Sequence, residues 1–130
     1  KFILVGDDWK NHSINSLSSN FNPKYTKRLY KGNICLDFGS IEGSSSLYSR
    51  SNAIIEAGGL LLQSKQIDSK NIWTNLENKI IFKNFNDLEI LIDKLINNEH
   101  LSNETLLNIF KNFENSRNLI ENNFDQIFKK

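Results

Sequence analysis

The sequence predicts an α/β domain whose parallel sheet is flanked by helices. Apolar runs of strand length alternate with segments of helical periodicity, and the run Ile34 to Phe38 is separated from Leu60 to Leu62 by a stretch that fits a loop and a helix. A nearly continuous apolar run is typical of a strand in a sheet covered on both faces. Strand, helix and strand in this order indicate a parallel pair with a right-handed crossover.

The elements before this pair are expected to be short. Phe2 to Val5 is predicted as the first strand, and Gly6-Asp7-Asp8 as a turn that offers backbone N–H groups, a common geometry of ligand loops. Asn11 to Asn22 is expected as a modest helix or an ordered loop. Tyr25 to Tyr30 is predicted to be helical, with Lys31-Gly32-Asn33 ending the helix.

The central elements follow from small residues and glycines. Gly39 to Ser46 is predicted as a loop of small residues, and Leu47 to Ala57 as a helix that Gly58-Gly59 closes before the strand at Leu60. Lys79 to Phe82 is predicted as a fourth strand.

The last third of the chain is predicted to form three helices. The first has Asn86 as N-cap, Glu89 as capping-box partner and one apolar stripe: Leu88, Leu91, Ile92, Leu95 and Ile96. The second begins near Ser102 and carries Leu106, Phe110 and Phe113. The third carries Ile120, Phe124, Ile127 and Phe128.

Size and charge exclude several classes of function. The 130 residues suffice for one domain, and the net charge of +1 argues against nucleic acid as the main partner. No apolar stretch reaches the roughly 20 residues needed to span a bilayer, so a cytoplasmic protein is expected. Cys35 has no partner for a disulfide and is expected to be a core thiol. Because the chain opens on an apolar strand instead of a methionine, we expect a piece of a longer protein.

The loop and helix after Ile34 to Phe38 carry the main chemical signal. A loop of small residues at the carboxyl end of a strand, leading into a helix, presents hydroxyls, free N–H groups and a partial positive charge to an anion. Ser44, Ser45 and Ser46 lie in this loop, and Arg50 follows in the helix. The guanidinium group of arginine matches phosphate oxygens, so a diphosphate is the expected ligand.

These residues also carry a family resemblance. Leu47-Tyr48-Ser49-Arg50, followed by Gly58-Gly59-Leu60-Leu61-Leu62, resembles the C-terminal domain of group 1 glycosyltransferases, in the branch of the spore-maturation-type enzymes. Members of that branch have an arginine, a glutamate three residues later, a small-residue pair ending in Gly-Gly, and an apolar strand. Lys79 to Phe82, Asn86-Asp87-Leu88 and Leu95 to Glu99 match in order, and Val5 to Trp9 looks like the family's opening strand and Gly-x-x-Trp turn.

The resemblance implies a Rossmann-like fold, the C-terminal half of a GT-B fold, with residues 1–130 as the donor domain of a longer bacterial enzyme. Its partners would be a nucleoside-diphosphate sugar and an N-terminal half that holds the acceptor. Such transfer uses no metal or cofactor, because positive side chains and a helix N-terminus stabilise the departing diphosphate. By the resemblance, Ser45, Ser46 and Arg50 hold the phosphates, and no catalytic residue is assigned.

The chain departs from the family pattern at the ribose-binding glutamate. Ala53 occupies that position, and Glu56 is expected to replace the glutamate from one helical turn later on the same face. Tyr48, eight residues before Glu56, stands where the family has an acid, and its ring is expected either to stack on a base or sugar or to pack in the core. The predicted substrate-binding set is Gly6, Asp7, Ser44, Ser45, Ser46, Tyr48, Arg50, Glu56 and Gly58.

Two other functions remain open at the level of sequence. The departures at Ala53 and Tyr48 are also consistent with a catalytically silent module that binds a nucleotide or a protein. Asp7 and Asp8 permit comparison with the acidic pocket of a phosphorylation receiver. Trp9 and Trp73 are expected either to flank a ligand or to pack in the core.

Overall fold

A computed structural model describes residues 16, 23–38 and 49–128 as an α/β arrangement. Its elements in chain order are α1 (Pro23–Tyr30), β1 (Ile34–Asp37), α2 (Ser49–Glu56), β2 (Leu60–Ser64), α3 (Ser69–Ile72), α4 (Glu77–Ile80), β3 (Ile81–Phe82), α5 (Phe85–Ile96) and α6 (Glu99–Phe128). The predicted strand Phe2 to Val5 and the predicted loop Gly39 to Ser46 lie outside the described residues. Asn11 to Asn22 lies outside them too, except for Ser16.

The three described strands form one parallel sheet in the order β1-β2-β3. Ile34 pairs with Leu60 and Asp37 with Gln63, while Gln63 also pairs with Ile81. The predicted parallel pair is therefore confirmed. This register places the ends of β1 and β2 side by side, so Asp37 and Gln63 are neighbours at the carboxyl edge of the sheet.

Glycines end the first two helices, as predicted. Gly32 after α1 has φ 69° and Gly58 after α2 has φ 77°, a left-handed conformation that glycine adopts without steric cost. Gly59 is required for a different reason, because a Cβ atom there would stand 2.9 Å from the carbonyl oxygen of Tyr30. The Gly-Gly pair therefore reverses the chain and lets β2 start against the end of α1.

The hydrophobic core surrounds β2. Leu61 and Leu62 are fully buried, and α2, α4 and α6 all contact this strand. The core residues with at most 2% of their surface exposed are Ile54, Ile55, Leu61, Leu62, Trp73, Ile80 and Ile109. Full burial of an aliphatic side chain contributes roughly 1.5–3 kcal/mol, so the packing around β2 holds the sheet edge in place.

The predicted fourth strand is shorter than expected. Lys79 and Ile80 belong to α4, where both backbone N–H groups donate to the carbonyl of Leu76, and β3 consists of Ile81 and Phe82 alone. A short apolar run has the same composition in a strand as in a buried helical turn. The salt bridge of Lys79 with Glu104, at 2.8 Å, also favours the helical turn.

The predicted N-cap of α5 is wrong by two residues. The helix begins at Phe85, and the side chain of Asn84 accepts a hydrogen bond of 2.9 Å from the backbone N–H of Asp87. Asn86 lies inside the helix and is exposed. The apolar stripe is confirmed at Leu88, Leu91 and Leu95, which are buried, whereas Ile96 is 67% exposed at the end of the helix.

The two helices predicted for the end of the chain are one. A single helix, α6, runs from Glu99 to Phe128, and the sequence between these residues has neither glycine nor proline to interrupt it. In the part of the chain that the structure describes, no helix combines the length and apolarity required to cross a bilayer.

Candidate functional site

The polar residues of interest lie where β1 ends and α2 begins. Asp37 is the last residue of β1, and Arg50 and Ser51 occupy the first turn of α2. Asp37 and Ser51 are fully buried, with no exposed surface. Because α2 returns the chain toward β2, its first turn lies beside the carboxyl edge of the sheet.

The buried carboxylate of Asp37 has two partners in this turn. The hydroxyl of Ser51 donates a short hydrogen bond to Oδ2 of Asp37. Nη1 of Arg50 lies 3.8 Å from Oδ1 of Asp37, and 56% of the Arg50 side chain is exposed. One nitrogen of the guanidinium group thus faces the buried carboxylate, while much of the Arg50 side chain remains open to solvent.

A chain of hydrogen bonds continues from Ser51 into the core. Nε2 of Gln63 donates to Oγ of Ser51 at 3.3 Å, and Nε1 of Trp73 donates to Oε1 of Gln63 at 3.1 Å. Gln63 is 2% exposed and Trp73 is fully buried. Asp37, Ser51, Gln63 and Trp73 are thus joined in one network, which satisfies these buried polar groups.

An aromatic residue extends this edge of the sheet. Phe38 follows Asp37, is 51% exposed, and packs edge to face on Phe82 with ring centroids 5.6 Å apart. The hydroxyl of Ser64 donates to the carbonyl of Phe38 at 2.6 Å. These contacts fix the direction in which the chain leaves β1.

Two groups near this network have raised pKa values. Burial raises the pKa of the Tyr30 phenol, and the charge of Arg50 acts in the opposite direction. Burial also raises the pKa of the Cys35 thiol to about 11. Both groups are therefore neutral at physiological pH.

The structure separates the predicted binding residues that it describes. Glu56 is the exposed last residue of α2, roughly 9 Å along the helix axis from Arg50. Gly58 lies beyond it, next to the amino end of β2. Neither residue meets Arg50. The other predicted residues, Gly6, Asp7, Ser44, Ser45, Ser46 and Tyr48, lie outside the described residues.

A cavity at the opposite edge of the sheet is a poor candidate site. It has a volume of about 130 Å³ and lies between the amino ends of β1 and β2 and helix α6, with Gly58, Ser102 and Asn103 among its lining residues. Small-molecule pockets usually measure about 300–1,000 Å³. This cavity is too small for a nucleotide.

Sequence reasoning does not identify the buried network beside Arg50. Asp37, Ser51 and Gln63 were given no role, although an acid at the end of an apolar strand is an available signal. Trp73, expected either to flank a ligand or to pack, is a packed residue whose indole N–H belongs to the network.

Comparisons with known proteins and the search for metal-ligand groups gave the following results. Comparison of the chain with protein-family models, curated proteins and solved structures found no match. Within residues 16, 23–38 and 49–128, no three His, Cys, Asp or Glu side chains form a group that could hold a metal ion. The chemistry of the site therefore has to be inferred from the arrangement around Arg50.

Proposed function

We propose that this domain binds the diphosphate of a nucleoside-diphosphate sugar and serves as the donor half of a GT-B-type glycosyltransferase. The observation that carries the proposal is the exposed guanidinium group of Arg50 in the first turn of α2, beside the carboxyl edge of a parallel sheet. Ligands of open α/β sheets bind outside the carboxyl ends of the strands. The N-terminus of a helix favours anions at the same place.

The chemistry of glycosyl transfer suits this arrangement. An acceptor hydroxyl forms a bond to the anomeric carbon and releases its proton to solvent. The bond from that carbon to the diphosphate breaks and leaves its electron pair on the oxygen, so negative charge accumulates on the leaving diphosphate. A guanidinium group and the backbone N–H groups of a helix terminus stabilise that charge without a metal ion. In the proposal Arg50 supplies the positive charge.

The Rossmann-like and GT-B assignments are part of the same proposal. The parallel order of β1, β2 and β3, with helices between consecutive strands, is compatible with them. The resemblance at Arg50 and Gly58-Gly59 supports the glycosyltransferase family, and it implies a second half of the enzyme that would bind the acceptor.

Binding of nucleotides tests the proposal directly. We expect UDP, GDP or one of their sugars to raise the melting temperature, by roughly 10 °C at a ligand concentration a hundred times the dissociation constant. The Arg50→Ala variant should lose this increase. Arg28→Ala is the matched control, because Arg28 is an exposed arginine on α1, and it should retain the increase.

Two results would contradict the proposal. If millimolar nucleotide does not raise the melting temperature, the domain does not bind a nucleotide, since a ligand that binds only the folded state must stabilise it. An undiminished increase in Arg50→Ala would remove Arg50 from the site.

A catalytically silent binding module is the second candidate. Ala53, which occupies the position of the family's glutamate, has no side-chain acceptor for a ribose hydroxyl, and Glu56 is exposed at the far end of α2. This candidate predicts nucleotide binding without sugar transfer in the full-length protein. A transfer assay with radiolabelled donor sugars distinguishes the two functions.

A further inference from the structure

The hydrogen bonds that link Trp73, Gln63 and Ser51 to Asp37 run in one direction. The indole N–H of Trp73 is only a donor, so Gln63 must present its oxygen to Trp73 and its amide nitrogen to Ser51. Oγ of Ser51 accepts that bond and keeps its single hydrogen for Asp37. The indole of a fully buried tryptophan therefore sets the direction of every bond in the chain.

Asp37 contacts both Ser51, the last donor of this series of hydrogen bonds, and Arg50. Its Oδ2 accepts from Ser51 and its Oδ1 faces Nη1 of Arg50 at 3.8 Å. Since the side chain of Asp37 is fully buried, its position is fixed by β1, β2 and α2. Arg50, by contrast, has a long flexible side chain that is 56% exposed, and its Nη1 faces the buried Asp37.

An arginine held along one edge binds an anion better than a free one. Ordering a long side chain at an interface costs conformational entropy, and pre-organisation removes this cost from binding. A guanidinium group has five N–H donors in a planar fork, so one edge can face a carboxylate while the others bind phosphate oxygens.

We propose that Asp37 is a positioning residue that holds Arg50 in the orientation required for a phosphate group, and that the chain Trp73–Gln63–Ser51 fixes Asp37. The proposal rests on the proposed function, because it assigns the exposed edge of Arg50 to the diphosphate of the ligand. It adds four residues to the site, Asp37, Ser51, Gln63 and Trp73, which do not touch the ligand but determine its affinity.

The first part of the test needs no ligand. In ¹⁵N NMR spectra of the domain, the guanidinium signals of Arg50, assigned by their loss in Arg50→Ala, should differ from those of a freely rotating arginine. In Asp37→Asn they should move to the free-arginine position. Asp93→Asn is the matched control, because Asp93 is an exposed aspartate on α5, and it should leave the signals unchanged.

The second part measures UDP binding by calorimetry, at a temperature where circular dichroism shows every variant folded. Asp37→Asn should raise the dissociation constant about tenfold, as expected when the Arg50 side chain must be ordered on binding, and Asp93→Asn should leave it within about twofold. If Asp37→Asn does not fold, Ser51→Ala, which removes only a hydroxyl group, takes its place. A residue with a purely structural role would lower stability and leave the dissociation constant unchanged.

The outcomes separate this inference from the proposed function. Arg50 signals that do not respond to Asp37→Asn, or an unchanged dissociation constant despite a response, would overturn the positioning role. If the wild-type domain binds no UDP, GDP or pyrophosphate at millimolar concentration, the proposed function fails and the phosphate role of Asp37 fails with it. The signals then still decide whether Asp37 holds Arg50.

Discussion

At the scale of single residues, Asp37 has the largest consequences for its surroundings. Burial of an isolated charge costs several kcal/mol even after relaxation of the protein. The hydroxyl of Ser51 and the guanidinium group of Arg50 offset that cost at the end of β1. The carboxylate is thus tolerated where α2 begins because two side chains of that helix reach it.

Cys35 provides a prediction about pH at the same scale. Burial raises its pKa to about 11, so the thiolate, which is the reactive form, makes up a fraction of about 0.001 at pH 8. We expect Ellman's reagent to react with the folded protein at least about tenfold more slowly than with the protein in urea, because unfolding restores an ordinary thiol pKa. Rates measured by absorbance in the two conditions give the comparison.

The sign of the linked stability effect follows from the same shift. The folded state favours the neutral thiol of Cys35. The contribution of this thiol to the free energy of unfolding is therefore complete below the ordinary pKa of 9.0 and decreases as the pH rises toward about 11. The Cys35→Ser variant should show a weaker loss of stability over that range. Equal reaction rates for folded and unfolded protein would contradict the prediction.

Sequence reasoning singles out Arg50 but not the buried network beside it, for a physical reason. The position of Arg50 after a run of small residues is a local signal. The contacts of Asp37, Ser51 and Gln63 depend on the register of β1 against β2, which pairs Asp37 with Gln63 across 26 positions of the chain. Hydrogen bonds between such distant residues are not encoded in spacing.

At the scale of elements, Asn84 and Asn86 are two candidates for the N-cap of α5, and the structure favours Asn84. Asn84 accepts a hydrogen bond from the backbone of Asp87, whereas Asn86 is an exposed residue inside the helix. We expect Asn84→Ala to lower the free energy of unfolding by about 1 kcal/mol. Asn86→Ala should change it by less than about 0.5 kcal/mol, because alanine is a good helix former. Urea denaturation gives both values, and the reverse order would restore Asn86 as the cap.

The salt bridge between α4 and α6 predicts a pH dependence. The hydrogen bond that Lys79 donates to Glu104 and the charge of that lysine lower the pKa of Glu104 below the ordinary value of 4.5. The stabilisation is therefore present above about pH 4.5 and is lost as the pH falls below it. Wild type and Glu104→Gln should differ slightly in melting temperature near pH 7 and converge in acid. A difference that grows in acid would contradict the salt bridge.

The success of element prediction followed the strength of local stop signals. The ends of α1 and α2 were found because Gly32 and Gly58 adopt a left-handed conformation. The strand predicted over Lys79 to Phe82 starts too early because Ile80 and Ile81 look alike in sequence, while only Ile80 belongs to a helix. The apolar residues of α6 fit two separate stripes, so the sequence predicts two helices where there is one.

At the scale of the whole molecule, the C-terminal helix belongs to the same core as the sheet. α6 contacts β2, α2 and α5, and Ile109 on α6 is fully buried with Leu61 and Leu62. The elements that position Asp37 and Arg50 are therefore supported by packing from the far end of the chain. Loss of that packing should loosen the carboxyl edge of the sheet as well as the helix.

Two nearby positions of α6, Ile109 and Leu107, test whether α6 and the sheet unfold together. Ile109 has no exposed surface, whereas Leu107 is 60% exposed. Ile109→Ala should lower the free energy of unfolding by about 2–5 kcal/mol, since it leaves a cavity against β2. Leu107→Ala, the matched control, should change it by less than about 0.5 kcal/mol.

Two probes of urea denaturation should give the same midpoint in each variant, because α6 and the sheet unfold as one unit. One is the fluorescence of the buried Trp73, measured in a Trp9→Phe background, and the other is the helical circular dichroism signal. Separate midpoints, or equal losses for the two substitutions, would show that α6 is not part of the core that holds the site.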